Sequence, residues 1–393
     1  MKPIVYLLNS FPNISETFII DEILTLMEQG VPIRIFSLKK PATSSIHKNA
    51  KKILSTGAVT YLNNPGRLEL TKALLKLALF KPHKIIPFIK LDLPRWMKLE
   101  ALNFSDIIID CNPAHIHCHY AAQSAQIALT INLINSTPYS ITTHGYDVFI
   151  EQPDNYLVLT NRSSIIFTIS DFNKKYLIEN LTLPDKKIRT CYCGVDISAF
   201  AELKLKPIAI DQEINILTVA RLHPIKGHAF LLKAIHKLQL ESNYRFKLWF
   251  AGDGPLKSEL EELTKLLGLA NIVRFLGQQT QCEIVQLIKE CHLFVLPSLS
   301  EGIPVSLMEA MAGFTPVIGP DINGVPELIT DGVNGFLFEP GDVDSLCKSI
   351  ASSIDKRELH QQITQNAYDK VRLQHSLKTN AVAKYKYMTN QII

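Results

Sequence analysis

Six short apolar runs after residue 212 each give way to a polar loop and then to a stretch of helical period. The runs are Ile214–Ala220, Lys247–Ala251, Ile272–Leu276, His292–Leu296, Pro316–Ile318 and Gly335–Phe338. Runs this short, alternating with amphipathic stretches, fit strands buried on both faces of a parallel sheet. Helices are expected at Ala229–Leu240, Pro255–Gly268, Gln281–Glu290, Val305–Ala312, Val325–Ile329 and Val343–Ile354, with Glu358–Met388 closing the chain. The first half shows the same alternation. Lys2–Leu8 reads as a strand, and Asn13 with Glu16 as a capping box opening a helix over Thr17–Gln29 that Gly30 ends. Ile33–Leu38, Ser105–Asp110, His115–His119, Tyr139–Thr143 and Ile165–Ser170 continue the sheet, and a helix follows through Asn173–Asn180. The polar, proline-bearing segment Cys193–Asp211 divides the halves. The expected fold class is therefore α/β, with two doubly wound parallel-sheet (Rossmann-like) domains. A chain of 393 residues suits two domains. They are placed at 1–195 and 212–370, with 371–393 a terminal helix expected to pack back on the first.

A hydrophobic fraction of 47% and a charged fraction of 20% belong to a soluble globular chain. No apolar run approaches the ~20 residues of a spanning helix, and Ile4–Leu8 is too short for a signal sequence. Seven cysteines without a C-x-x-C pair read as reduced thiols, so a cytoplasmic location is expected. Charge is uneven. Through residue 195 there are 21 basic and 15 acidic residues, whereas the remainder has 20 basic and 22 acidic. The excess lies in Arg67–Lys98, where eight basic residues face only Glu69 and Asp92, with Leu, Ile, Phe and Trp96 interleaved. Such a stretch either lies on an anionic membrane surface or is an ordinary solvated helix face. No nucleic-acid partner is expected.

The chemistry concentrates on two strand ends. Ser298–Met311 reads S-L-S-E-G-I-P-V-S-L-M-E-A-M and follows the run His292–Pro297. Glu301 falls on the strand-to-helix loop and Glu309 about two turns along the helix, with Pro304 near its first position. The amides of Gly302, Ile303, Val305 and Ser306 would then face outward at a helix N-terminus, a ready anion site. Arg221–Gly227, within A-R-L-H-P-I-K-G-H, supplies two cations on the loop after Ile214–Ala220. Ligands of open parallel sheets bind at the carboxyl ends of strands. A diphosphate held between Arg221, Lys226 and helix amides, with carboxylates left to grip hydroxyls, is the arrangement these residues imply.

The segment P-S followed by Glu-x7-Glu and E-A-M-A resembles the retaining nucleotide-sugar glycosyltransferases of family 4. So do A-R-L-x-x-x-K-G, Gly252-Asp253-Gly254-Pro255, Val273-Arg274-Phe275-Leu276-Gly277 and Val325-Pro326-Glu327-Leu328-Ile329, which stand in the family's order from about Ile214 to Pro340. The resemblance implies the GT-B architecture, in which two such domains face a cleft. It also implies a metal-independent hexosyl transfer with retention, with no cofactor besides the nucleotide-diphosphate sugar itself. Arg221 and Lys226 would contact the diphosphate, and loss of either would cost about 3 kcal/mol of transition-state stabilisation. Glu301 would hold sugar hydroxyls and Glu309 the ribose hydroxyls. Ser298, Pro304 and the backbone near Leu276-Gly277 would complete the donor site, while Glu327 serves equally well as a helix-start acid. His144, in T-T-H-G-Y-D, matches the family histidine that contacts donor sugar or phosphate; Asp147 would orient it or touch the acceptor.

His115, His117 and His119 share one strand face with Cys118 opposite. A zinc site needs more ligands at metal spacing than this segment shows, so no metal is expected; His119 is assigned to the acceptor side. The loop after the first strand departs from many relatives in having no glycine, which restricts backbone approach to a phosphate. Its Ser15, Glu16 and Thr17, within S-E-T-F-I, resemble a sub-group that builds exopolysaccharide, capsule or lipopolysaccharide, including colanic-acid-type enzymes. They are acceptor-side or pyrophosphate-side candidates, and helix capping accounts for them equally. The acceptor implied is a growing, lipid-linked bacterial surface glycan at the inner membrane surface. The rival readings are an epimerase-like enzyme on the same fold and a non-catalytic nucleotide-sugar-binding subunit. G-x-G-x-x-G is absent after both first strands, which disfavours a dinucleotide oxidoreductase.

Overall fold

The computed structural model describes residues 1–13, 16–41, 48–63, 65–209 and 213–390. It comprises two compact units, one of Met1–Tyr192 with Leu377–Ile393 and one of Cys193–Ser376. In the first, β1 (Ile4–Ser10), β2 (Ile33–Lys39), β3 (Val59–Tyr61), β4 (His115–His119), β5 (Tyr139–Thr143), β6 (Ile165–Thr168) and β7 (Ile188–Thr190) form one sheet. The second sheet contains β8 (Glu213–Val219), β9 (Arg245–Ala251), β10 (Val273–Gly277), β11 (Leu293–Val295), β12 (Val317–Pro320) and β13 (Phe336–Phe338). The strand orders are β3-β2-β1-β4-β5-β6-β7 and β10-β9-β8-β11-β12-β13. Every named pairing is parallel. Both sheets are therefore doubly wound, reversing direction between β1 and β4 and between β8 and β11. Those two points are where a ligand crevice is expected in each unit.

Burial follows the apolar runs. β4 and β5 are buried at every residue, and Ile214, Ile216, Phe246, Leu248, Phe250, Leu293 and Val295 centre the second core. The first unit is packed from both sides. Ile116, Ile141 and Ile166 join one cluster, while Ile4, Tyr6, Leu8 and Phe167 join another that includes Ala381 and Met388 of the terminal helix Leu377–Met388.

Two local expectations are corrected. Ser105–Asp110 is not a strand. It ends the helix Arg95–Ile109, whose buried Met97, Ala101, Leu102, Phe104, Ser105 and Ile108 recur at three- and four-residue steps, so a locally continuous apolar run sits on a helical face. The capping box at Asn13 and Glu16 is also not formed. The helix Thr17–Glu28 starts at the expected residue, but Glu16 stands at its N-cap position with no side-chain cap bond, so Asn13 and Glu16 do not hold the two positions of a capping box. Short strands β3 and β7, three residues each, had no recognisable signal of their own.

Candidate functional site

In the second unit the loop after β8 is laid tightly on its neighbours. Leu222 N–H donates to Asp253 O at 3.0 Å. Gly252 has φ +147°, and a Cβ there would lie 2.0 Å from Ala220 O; a Cβ on Gly227, at φ +66°, would lie 2.0 Å from Pro297 O. These contacts require glycine at both positions. They press the cation-bearing loop against the end of β9 and the segment after β11. Arg221 stands exposed on this loop. Lys226 and Glu301 are bonded to each other, with Nζ 2.6 Å from Oε1 and side chains 21% and 9% exposed. The two groups assigned separately to phosphate and to sugar hydroxyls thus form one ion pair at the β8/β11 switch point. Asn323 Nδ2 donates to Glu301 O at 3.0 Å and fixes the loop backbone.

The helix Val305–Ala312 begins just beyond, with Pro304 as its N-cap and no side-chain cap. Pro304 thus brings no capping oxygen to its first amides, which favours anion binding there. Gly302 and Val305 are partly exposed, while Ile303 and Pro304 are buried beneath them. Glu309 is 8% exposed and accepts from Gln281 Nε2 at 2.8 Å. Gln281 is a partner that sequence reasoning missed, since nothing local to the start of its helix points to Glu309. Ser298 is fully buried, and its hydroxyl finds no partner among the described residues. Leu276 and Gly277 close β10 partly exposed, and Gln279 Nε2 donates to Leu276 O at 2.7 Å. Glu327 lies in the four-residue helix Val325–Leu328.

In the first unit the β1/β4 switch point carries a polar cluster. His144 follows β5, and Gly145 after it has φ +112°. Asp147 is 4% exposed, and its carboxylate accepts the amides of His144 (2.8 Å) and Ala121 (2.9 Å). It ties the His144 loop to the end of β4, a use of both oxygens that leaves it facing backbone. Burial raises its pKa, and those amide bonds oppose the rise. His119 departs from the acceptor-side expectation: at 1% exposure it lies behind His144, with its Nδ1 2.9 Å from His144 Nε2 and the rings stacked at 5.2 Å. Phe18 and Tyr120 pack on the His144 ring at 4.8 and 4.6 Å. Burial holds the His144 imidazole well below its usual value, His119 and Lys384 push the same way, and Glu22 opposes them.

Behind His119, Glu22 Oε1 lies 3.4 Å from its Nε2 and accepts Tyr6 OH at 2.7 Å, while Lys384 of the terminal helix donates to Oε2. Glu22, Tyr6 and Lys384 were not found in the sequence; Lys384 reaches Glu22 across 362 positions. Glu22, His117 and His119 offer atoms within 4.8 Å of one another, the geometry of a possible metal cluster. His117 is engaged at both ring nitrogens, by Ser140 Oγ (2.7 Å) and Thr142 Oγ1 (3.0 Å), and Lys384 already supplies Glu22 with a cation. His115 pairs with Ser140 Oγ at 2.8 Å. Glu16 and Thr17 sit partly exposed at the start of the first helix; burial pushes the Glu16 carboxyl up to about 7 against a bond from Asn13. Ser15 lies outside the described residues.

The helices Arg67–Phe80 and Ile85–Lys90, with Trp96 beyond, carry eight of the eighteen large apolar side chains that are exposed among the described residues. Leu79 and Phe80 are each 73% exposed, Ile86 65% and Ile89 64%. No helix among the described residues is long and apolar enough to cross a membrane.

Two doubly wound parallel halves of these strand orders are those of the GT-B fold. Residues 15–199 match Glycosyltransferase Family 4 and residues 201–370 match Glycosyl transferases group 1, and the chain belongs to this family of glycosyltransferases. It is 26% identical over 394 residues to WcaL of Salmonella typhimurium, named for colanic acid biosynthesis, covering 93% of this chain and 94% of that protein. It is 34% identical over 280 residues to the Bacillus subtilis protein named glycosyltransferase EpsF, covering 65% and 71%. Among solved structures, Anabaena HepE in complex with UDP superposes with a TM-score of 0.76 at 18% identity, covering 99% of this chain and 100% of that one.

Proposed function

We propose that this glycosyltransferase moves a hexose, with retention and without a metal, from a nucleotide-diphosphate sugar to a growing, lipid-linked bacterial surface glycan. The observation that carries the reading is the Lys226–Glu301 pair at the β8/β11 switch point, beside exposed Arg221 and the uncapped start of Val305–Ala312. A diphosphate would take Lys226, Arg221 and the helix amides, and Glu301, released from the lysine, would accept sugar hydroxyls. Two fixed cations and amide dipoles supply the leaving-group stabilisation that a metal supplies elsewhere. Glu309, with Gln281 already on one oxygen, would take the ribose. His144, Glu16 and Thr17 of the first unit are assigned to sugar and acceptor. The WcaL name supports an exopolysaccharide product, and the UDP held by HepE makes a uridine diphosphate donor the first to try. The basic, apolar helices from Arg67 to Lys98 would rest on the anionic inner membrane surface that presents a lipid-linked acceptor.

The test is thermal unfolding with UDP, GDP and ADP and their sugars, with and without chelator, since a ligand stabilises the native state by mass action. A chelator-insensitive shift with one diphosphate, lost in Arg221→Ala, supports the donor site. No shift with any nucleotide overturns it. Sedimentation with vesicles containing anionic lipid tests the membrane face: Leu79→Ser with Phe80→Ser should abolish binding, and equal binding by that variant removes the assignment.

A further inference from the structure

We propose that Lys384, on the terminal helix, sets the tautomer of His144 through Glu22 and His119, so that His144 keeps its proton on Nε2 and offers Nδ1 as an acceptor. The inference rests on the reading of His144 as a reactive-site residue. Four side chains form the chain of contacts. Lys384 donates to Glu22 Oε2, Glu22 Oε1 faces His119 Nε2 at 3.4 Å, and His119 Nδ1 lies 2.9 Å from His144 Nε2. Tyr6 OH donates to Glu22 Oε1 at 2.7 Å and points the carboxylate at the histidine. Lys384 is 5% and Glu22 8% exposed, so their bonds to each other stand in place of solvent contact. The lysine also lies over the Phe167 ring at 5.7 Å, on its side of the cluster.

The logic is one of proton positions. A carboxylate kept ionised by a buried ammonium can only accept. The His119 nitrogen facing it therefore carries the proton, because a lone pair there would meet an anion. Burial keeps His119 below the usual imidazole value despite the pull of Glu22, so the ring is neutral and its Nδ1 is an acceptor. The short contact to His144 then needs a proton from His144 Nε2. A neutral His144 is left with its lone pair on Nδ1, the form that accepts a hydrogen bond from a sugar hydroxyl. Removing the ammonium reverses each step. A buried Glu22 with no cation takes up a proton and donates it to His119 Nε2. His119 then carries its proton on Nδ1, and His144 turns into an Nδ1–H donor. Lys384 and Glu22 are positioning residues in this scheme.

The experiment is a long-range proton–nitrogen correlation on the full chain labelled with ¹⁵N-histidine, with His144 assigned from the signal missing in His144→Gln. The wild type should show His144 protonated on Nε2, Lys384→Met should show it on Nδ1, and Lys384→Arg should restore the wild-type pattern. An Nδ1-protonated His144 in the wild type overturns the proposal without any variant, as does an unchanged tautomer in Lys384→Met. Should Lys384→Met not fold, Lys384→Gln is read the same way. These spectra need no sugar donor, so they stand apart from any failure of the transfer reading. In a transfer assay the switched variant should lose kcat about a hundredfold with KM nearly unchanged, restored in Lys384→Arg. A switched tautomer with wild-type kcat would remove the histidine's assigned part in the reaction.

Discussion

Each unit holds one lysine–glutamate pair at its switch point, and the two are built for opposite purposes. In the first unit Lys384 and Glu22 have side chains 6% and 10% exposed, and Tyr6, His119 and the Phe167 ring take up the remaining directions. In the second, Lys226 and Glu301 join two strand-end loops, and the lysine is 21% exposed. A charge whose neighbours are all engaged inside the core is part of the frame. A charge paired at the edge of a loop, next to uncapped helix amides, can exchange its partner for a ligand at little cost. The same pair of residue types thus reads as structure or as site according to what surrounds it.

The comparison breaks most sharply on stability. Removing one member of a buried pair leaves the other either an uncompensated charge or, as argued for Glu22, forced to take up a proton, at a cost of about 3–5 kcal/mol. Lys384→Met should therefore lower the unfolding free energy by about that amount, whereas Lys226→Met should cost no more than about 1 kcal/mol, the range of part-exposed pairs. Urea denaturation of the two variants side by side measures both. Equal losses would mean that burial does not separate the pairs.

Activity should reverse the order. Lys226→Met should reduce kcat/KM by roughly a hundredfold or more, about 3 kcal/mol of transition-state stabilisation, while its melting temperature stays near the wild-type value. Initial rates with a nucleotide-sugar donor, once the donor is identified, give the ratio. A rate within about threefold of wild type would return Lys226 to the status of a loop charge in a surface pair.

The second half was nearly all legible, because each strand and helix there is signalled by its own residues. Gln281–Glu290 and Val305–Ala312 occur with the bounds that their periodicity implies. Arg221, Lys226 and Glu301 were also legible, since strand-end loops display their charges in sequence order. What escaped reading was whatever depends on distant parts of the chain. Ser105–Asp110 looks like a strand because three isoleucines and flanking acids give no period on their own; only the preceding turns of Arg95–Ile109 supply it. Lys384 occupies an ordinary position in a polar helix, and its partner lies 362 residues away. His119 was rightly placed at a strand end, but the sequence could not say that His144 and Phe18 would cover it.

The smallest expected effect compares Glu22 with Glu16, at the start of the same helical segment. Burial tends to raise both. For Glu22 the ammonium of Lys384, with His119 and His117 beside the carboxylate, outweighs it, and the carboxyl is held well below 4.5. Glu16 has no such cation among the described residues, only Asn13, and rises from 4.5 to about 7. The signs of their linkage are opposite. Glu22 contributes stability that is present above pH 4.5 and is lost as pH falls through its lower folded value. Glu16 favours the protonated form when folded, so its contribution is complete below pH 4.5 and is lost as pH rises to 7. Unfolding free energies measured from pH 4 to 8 for the wild type and Glu16→Gln should therefore differ by an amount that moves against the wild type between pH 4.5 and 7 and is level above it. A constant difference across that window would show that Glu16 titrates normally. The contrast would then rest on Glu22 alone, and with it the view that a cation partner, rather than depth in the fold, decides whether an acid in this segment stays charged.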